Sequence, residues 1–532
     1  MPEVLAHLVT GKLILGVATL FLLAAGALAW RGFSMFSMLA LVVLGFCLRL
    51  HTVCADPYLQ PWDERYHALV ARNMMEQTLV PMLYTDPALD YDYRDWTSNR
   101  YWLHKPPLAL WTIVGSMQLF GVNLLALRLP SLLLSTALIA LMFGLGRWLF
   151  TARVGLLAAF FVAISGVMVE LPAGRIATDH VDMAFVFYLT LAGWAGLVFA
   201  KQPTWQRAAL FSVALSLAVY TKWFTALFLL PVVAVAVFFR RAKGLRLPAL
   251  QLFSVGAAVL AAAWIWQRYT QQRFPLEAAW ESAYNFRHLV EPLEGHKHEW
   301  YYHLSRMGLM FGWWSFPALI WLVVRPGEVL NVSSVEAPVV GNQQSASEAD
   351  LKPFPRWIRA SLTTWWLLPL LVFTVAATKM RLYVLPVAPV CWLATALLLD
   401  DLWMGQGILG RLQKVWLRRL MVVLVLIWAL MDLQGEVNLF KKSYGVEPDW
   451  MAEIDLVSEH LSHSPGVRPV VFNALEPIPL MFHTGVTAYS WVPWDSAWTA
   501  LDTSRTRIIL NHRGEGFHDL QQPGKVWVLD LP

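Results

Sequence analysis

Charge is what this sequence has least of. Of 532 residues, 41 are Lys or Arg and 36 are Asp or Glu, 14% in all, where a soluble domain averages roughly 25%. So thin a polar coat excludes a soluble enzyme of two or three domains. With 57% hydrophobic residues, it also excludes a disordered chain and collagen. Cysteine is scarcer still: Cys47, Cys54 and Cys391 make neither a disulfide framework nor a CxxC site. The formal net charge of +5 is what basic membrane loops supply, so no nucleic-acid partner is implied. What the chain does have is hydropathy, with a mean of +0.50, 28 Trp and 30 Pro. Trp gathers at membrane–water interfaces and Pro is tolerated in membrane helices. The chain reads as a polytopic α-helical membrane protein.

A crossing helix needs about 20 apolar residues. Runs near 11–30, 33–53, 128–149, 154–172, 181–200, 207–221, 223–239, 248–267, 304–324, 360–378, 382–400 and 415–433 predict about 11 to 13 spans. The first has no small-residue cleavage site behind it and reads as a retained helix. Basic residues in short loops mark the inner face. Arg147 with Arg153, Lys201 with Arg207, the group Arg240, Arg241, Lys243 and Arg246, then Arg325, Lys352, Arg356 and Arg359, and finally Arg411, Lys414, Arg418 and Arg419 all fall inside under one layout. In it, segments 54–127, 173–180, 268–303 and 434–532 lie outside, as does the N-terminus. The parity requires that the short apolar stretch near 106–120 lie along the outer surface as a juxtamembrane helix. No transporter-like internal repeat is visible.

Residues 1–433 are thus expected to form the transmembrane domain, with the large outer loop 54–127. Residues 434–532 contain β-type runs at Arg468–Phe472, Arg507–Leu510 and Lys525–Leu529 and are expected to form a small outer α/β domain. The polar stretch Val335–Asp350 reads as a flexible inner loop. The glycosylation pattern Asn331-Val332-Ser333 falls on the inner side and carries no weight.

Titratable residues are rich in one place, the outer loop 54–105, and long loops of that kind are usually functional or disordered. Asp63, His67 and Val70 share a face of a helix that starts after Pro61-Trp62, so Asp63 and Glu64 form a carboxylate pair at its first turn. A second pair, Asp179 and Asp182, stands at the mouth between two spans, where carboxylates mark substrate or ion sites; helix capping is the plainer reading of that pair. Lys105, Lys222 and Lys379 also stand at outer edges. Each alone is a snorkelling anchor; together with Arg381 and Arg175 they suit an anionic group such as phosphate. His288, His296, His298 and His303, with His104, offer imidazoles for a metal, although solvated interfacial histidines account for the same spacing.

Trp62-Asp63-Glu64 with His67 and Arg72, His104-Lys105-Pro106-Pro107 through Trp111, Leu119-Phe120-Gly121, Arg128-Leu129-Pro130-Ser131, Tyr220-Thr221-Lys222, Arg287-His288 with Trp300-Tyr301-Tyr302, and Thr378-Lys379-Met380 with Tyr383 through Pro386 follow one another in a characteristic order. The set resembles the C-type superfamily of glycosyltransferases that use lipid-linked sugars. It is nearest the bacterial aminoarabinose transferases and the protein O-mannosyltransferase-like enzymes, over about residues 33–400.

The resemblance implies a multi-pass enzyme of the bacterial inner membrane, monomeric, with its site facing the periplasm. Its donor would be a polyprenyl (undecaprenyl) phosphate sugar, transferred with inversion to a periplasmic lipid, glycan or protein acceptor. No nucleotide or organic cofactor is implied. It assigns catalytic roles to Asp63 and Asp179 with Glu64. It also matches Lys105, Lys222, Lys379 and Tyr383 to family positions, expected as donor-phosphate contacts; the charge pattern adds Arg381 to them, and His67, Arg72 and Asp182 are expected to contact substrate. His104 and His296 would hold a divalent metal (Zn, Mg or Mn).

The sequence departs from the family pattern where His104 stands for the usual acid before Lys105 and where Trp223 stands for the usual Gly after Lys222. Loop 84–101 also carries additional Asp86, Asp90, Tyr91, Asp92, Tyr93, Asp95 and Trp96, which suggest a different acceptor or a solvated loop. Chemically, a carboxylate activates an acceptor hydroxyl and cations stabilise the departing prenyl phosphate, through an oxocarbenium-like centre. The alternative is a transporter or flippase for a lipid-linked or amphipathic anion. That class predicts ionisable groups near the membrane midplane and an inverted repeat.

Overall fold

The computed structural model describes residues 12–176, 179–240, 244–325, 354–406, 414–437, 447–463, 469–493, 505–512 and 516–531, with single positions between them. The Val335–Asp350 loop, the Asn331 sequon, Lys352, Arg241, Lys243, Arg411 and the first residue of the Arg468 run lie outside the described residues.

The chain is a helical bundle followed by a small sheet. Its helices are α1 (Lys12–Trp30), α2 (Ser34–Ala55), α3 (Asp63–Met74), α4 (Pro107–Phe120), α5 (Leu124–Leu149), α6 (Ala152–Ile164), α7 (Gly166–Glu170), α8 (Asp179–Lys201) and α9 (Trp205–Lys222). There follow α10 (Leu229–Arg240), α11 (Arg246–Arg273), α12 (Pro275–Val290), α13 (Tyr302–Phe311), α14 (Ser315–Val324), α15 (Arg356–Val375), α16 (Ala388–Met404) and α17 (Val415–Val437). The tail holds α18 (Trp450–Ser462), β1 (Val470–Phe472), α19 (Pro477–Thr484), β2 (Thr487–Ala488), β3 (Arg507–Asn511) and β4 (Val526–Asp530).

Local chemistry starts these helices where the sequence offers it. Asn123, Thr151 and Thr204 accept the backbone N–H groups of Ala126, Val154 and Arg207, so each caps a helix entry. Pro107, Pro275 and Pro477 open α4, α12 and α19, where their missing N–H costs nothing.

Seven helical runs among the described residues are long and apolar enough to cross a membrane, nine if the bent pairs α6–α7 and α13–α14 each count once. One of the seven, Trp205–Arg240, is two passes. Gly196 packs against both Phe211 and Val233, residues that a straight helix would hold about 33 Å apart. The chain therefore folds back at Lys222-Trp223, as the separate runs 207–221 and 223–239 require. The expected first and last spans form α1 and α17 but fall outside that count, so the count is lower than the 11 to 13 expected. Helix α4, 14 residues long, reaches about 21 Å, too short to cross, as the sequence reading required.

The break between α6 and α7, bent by 56°, frees carbonyls inside the bundle. The fully buried Arg49 of α2 takes them: its guanidinium donates to Val162 O (2.8 Å), Ala163 O (3.0 Å), Gly45 O (2.9 Å) and Ser135 Oγ (2.6 Å). A charge at this depth is tolerable because four of the five guanidinium N–H groups have an acceptor.

A second core lies at one end of the bundle, where α3 and α4 pack on the tail through Leu69, Met74, Ile113, Val471, Phe482 and Ile508. The tail sheet is entirely parallel, in the order β2-β1-β3-β4. Strands β1 and β3 are buried along their whole length, which explains why they read as continuous apolar runs.

Candidate active site

Helix α3 carries Asp63 and Glu64 in its first turn, where the helix dipole favours negative charge. Arg128 of α5 fixes that turn. Fully buried, it holds Glu64 with two bonds, Nε–Oε1 at 2.7 Å and Nη2–Oε2 at 3.0 Å, and also donates to Val53 O, Asp56 O and Tyr58 O. The segment leading into α3 and the first turn of α3 are thus tied to one guanidinium. Burial raises the Glu64 carboxyl pKa, but the Arg128 charge and hydrogen bonds outweigh it and bring the group to about 2. Gly174, at φ +72°, admits this carboxylate: a Cβ there would stand 2.3 Å from it. The motifs Asp63-Glu64 and Arg128-Leu129-Pro130-Ser131 are therefore two halves of one clamp.

Clamping Glu64 turns Asp63 toward a different set of groups. Its Oδ2 is 3.6 Å from Lys105 Nζ and makes no hydrogen bond. Burial pushes the Asp63 carboxyl up, but Lys105 and the neighbouring cationic groups more than reverse this, and it lies below its ordinary range. His67, one turn on, is fully buried and donates Nδ1–H to Asp179 Oδ1 at 2.8 Å. Burial lowers the His67 pKa to about 4, so this is a hydrogen bond from a neutral imidazole. His180 bridges Ser131 Oγ (2.9 Å) and Glu64 Oε1 (3.4 Å). Lys222, at the fold-back, is hydrogen-bonded to Asp182 Oδ1.

Of these groups Lys105 and Lys222 line a cavity of about 730 Å³, together with His104, Glu281, His288 and Tyr383 among others, whereas Asp63, Glu64, His67, Asp179 and Asp182 stand behind that lining. One part of its wall is polar; another is Phe228, Trp266, Phe286, Leu289, Val372 and Phe373, an apolar surface suited to a hydrocarbon chain. Next to the lining residues Ala376 and Met380, the loop Thr378-Lys379 is pinned to segment 288–296. Thr378 and Lys379 donate backbone N–H groups to His288 O and His296 O, and Thr378 Oγ1 donates to Glu291 O and accepts from Leu293 N.

Not every expected site residue comes to the cavity. Lys105, Lys222 and Tyr383 line it; Lys379 and Arg381 do not. Lys379 is buried and donates to Ala376 O at 2.9 Å, and Arg381 is exposed. Arg72 leaves the site altogether. It leans on the tail, donating to the Met481 and Phe482 carbonyls near the end of α19, where a helix C-terminus attracts a cation. Helix periodicity could not reveal this partner, because it is some 400 positions away in sequence. Loop 84–101 is divided: its start binds the tail, while Tyr91 donates to Glu277 and Trp96 to the cavity-lining Glu294. Asp86 O accepts from Thr487 Oγ1, Tyr489 Oη accepts from Ala88 and Leu89 N–H, and Asp86 pairs with Arg505. Asp92 pairs locally with Arg94, and Asp95 turns onto Thr97 and Ser98. Trp96 stacks on His104 at 4.5 Å.

Groups the sequence reading missed stand beside them. Glu281 is buried with neither carboxylate oxygen hydrogen-bonded, His104 Nδ1 being 3.5 Å away. It sits on the α12 face with a Glu277–Ala278–Glu281–Tyr284 spacing, which was the available signal. Four described non-glycine residues have positive φ: Trp62, Trp223, Glu294 and Asn473. Trp62 precedes Asp63, Trp223 follows Lys222, and Glu294 lines the cavity. Each costs about 1–3 kcal/mol, and such residues cluster at functional sites.

Among the described residues, the set of three candidate metal ligands lying within 4.8 Å of one another is Glu64, Asp179 and His180. The donor chemistry argues against a cation there, since Arg128 already neutralises both Glu64 oxygens. His104 and Glu281 fit better: an imidazole faces a carboxylate that lacks any hydrogen-bond partner. His296 presents its carbonyl to Lys379 N–H and is not part of the three-residue set.

This arrangement belongs to a multi-pass membrane protein with the C-type glycosyltransferase fold. Residues 104–266 match the family described as dolichyl-phosphate-mannose-protein mannosyltransferase. Among solved structures, the chain is similar to ArnT from Cupriavidus metallidurans bound to undecaprenyl phosphate, with a TM-score of 0.60 at 14% identity over 95% of this chain and 90% of that one. The apo state of that ArnT gives 0.59 at 17%, over 90% and 88%. The apo Archaeoglobus fulgidus oligosaccharyltransferase gives 0.52 at 12%, over 86% of this chain and 65% of that one. No curated protein sequence matches the chain.

Proposed function

We propose that this protein is a glycosyltransferase that takes a sugar from a polyprenyl-phosphate donor and passes it, with inversion, to an acceptor outside a bacterial inner membrane. The observation that carries the reading is the cavity itself. It sets Lys105 and Lys222 beside an apolar wall, with the buried Asp63 carboxylate 3.6 Å from Lys105. That combination suits a phosphate bearing a hydrocarbon chain. The ArnT of similar fold binds undecaprenyl phosphate, which supports the same class of donor.

In this reading the acceptor oxygen attacks the anomeric carbon as the bond from that carbon to the phosphate oxygen breaks. The bonding pair leaves with prenyl phosphate, stabilised by Lys105 and by the two Lys222 N–H groups not used by Asp182. The acceptor proton goes to Asp63, whose carboxylate is ionised at neutral pH. An acceptor that is itself an anion needs no base, and Asp63 then positions it. Glu64 and Asp179 act through others: Glu64 holds the first turn through Arg128, and Asp179 orients His67. His104 and Glu281 would hold a divalent cation, which would supply Lewis-acid charge near the phosphate. The tail and Arg72 stiffen the outer loop rather than touch substrate.

Purified protein given a panel of undecaprenyl-phosphate sugars should release prenyl phosphate with at least one. Asp63→Asn should abolish release while the protein stays folded; substantial activity in that variant would overturn the assignment. An unchanged rate after exhaustive chelation would remove the metal from the scheme.

A further inference from the structure

We infer that Trp223 is a specificity-determining contact for the sugar ring of the lipid donor, an inference that rests on the proposed donor class. The chain turns back at Lys222-Trp223, and Trp223 makes the turn at φ 49° and ψ −147°. Only glycine adopts that region without steric cost. The turn alone therefore gives no reason for the largest side chain.

The indole is placed to do something else. It is half-buried and lines the cavity together with Lys222, Glu281 and Asn285. Its Nε1 is shielded from solvent and has no hydrogen-bond partner, although a buried indole N–H normally finds one. A tryptophan at a membrane edge is commonly a lipid-facing anchor. The neighbouring Phe224 is 55% exposed and lines the cavity too; Trp223 differs in being half-buried and in carrying a shielded N–H.

An apolar ring with one unfilled donor matches a pyranose, which has a C–H face and ring-edge oxygens. The Glu281 carboxylate and the Asn285 amide offer further partners for sugar hydroxyls. The phosphate is served by the lysines, and the prenyl chain by the apolar wall. Trp223 would thus distinguish a sugar-bearing lipid from the bare prenyl phosphate left after transfer.

Two variants test this, each read by binding and by kinetics. Trp223→Gly suits the turn, so its thermal midpoint should hold or rise. Its Kd for the undecaprenyl-phosphate sugar should rise about tenfold, with a matching rise in donor KM, little change in kcat, and unchanged Kd for bare undecaprenyl phosphate. Trp223→Phe keeps a ring and should recover part of that loss. An equal loss toward both lipids, or none toward either, overturns the inference. Asp63→Asn run alongside separates the two readings. If transfer survives in Asp63→Asn, the catalytic assignment fails. If Asp63→Asn is inactive and Trp223→Gly still prefers the sugar-bearing lipid as wild type does, only the Trp223 inference fails. A wild-type protein that binds neither lipid overturns both.

Discussion

The two faces of the bundle treat buried carboxylates in opposite ways. On one, Asp401 accepts from Arg325 through both oxygens, at 2.6 and 2.9 Å, and from Trp321 Nε1 at 2.8 Å, while Arg153 holds Asp400 at 2.7 Å. On the other, Asp63 Oδ2 has only a lysine at 3.6 Å, and both Glu281 oxygens lack hydrogen bonds. A carboxylate with its acceptor sites filled is fixed and has little left to offer a ligand. One left short of partners retains free energy that a substrate or cation can recover. The difference separates scaffold from site more cleanly than burial, since all of these groups are buried. The site face contains both kinds: the Glu64–Arg128 clamp is saturated so that Asp63, one residue away, is held without being saturated.

The largest test of this contrast is Asp63→Asn, expected to lower transfer about 10²–10⁴-fold with the thermal midpoint unchanged. Measuring rate and unfolding on the same preparation separates the two effects. Next come the two clamps. Arg128→Met and Arg325→Met each strand a buried carboxylate and should cost about 3–5 kcal/mol of stability. Only Arg128→Met should also lower kcat per folded molecule, because Asp63 moves with Glu64; equal kinetic loss in both variants would erase the distinction between faces. Lys105→Ala should raise donor KM about tenfold through one lost charge-assisted contact, with a smaller effect on kcat.

The smallest effect is on pH. His67 has a folded pKa of about 4 against about 6.5 unfolded, so between these values the unfolded chain binds more protons. Stability from this group is complete above about 6.5 and is lost as pH falls toward 4. Glu64, held at about 2, acts in the same direction below the ordinary carboxylate range. The midpoint should decline gradually on acidification, and His67→Gln should flatten the slope between pH 6.5 and 4.

Much of the site was legible because its motifs are local. Asp63-Glu64 and His67 lie about one turn apart on one helix, and Lys105-Pro106-Pro107 opens another. Where the reading missed, the cause was distance along the chain. Arg72 stands nine residues after Asp63, about 180° around α3, so periodicity already turned it from the Asp63–His67 face; only the packing of α19 showed what it meets there. Arg381 follows Lys379 by two residues and shares its motif, yet the turn leaves it outside the cavity. Glu281 shows in the sequence only as part of the Glu277–Ala278–Glu281–Tyr284 spacing; its significance is the absence of a hydrogen-bond partner, which sequence does not display.

The sequence by itself determined that this is a membrane-spanning helical bundle with an α/β tail, because hydrophobic run length, N-caps and strand-type runs are properties of consecutive residues. It also placed the scarce carboxylates and lysines at one end. Only the tertiary structure decided which of them are neutralised and which are left open. Arg128 meets Glu64 across 64 positions, Lys222 meets Asp182 across 40, and the Glu281 carboxylate, without a hydrogen bond among the described residues, has His104 Nδ1 at 3.5 Å. Pairing depends on geometry in space, and a charge's chemistry depends on whether its partner is already there.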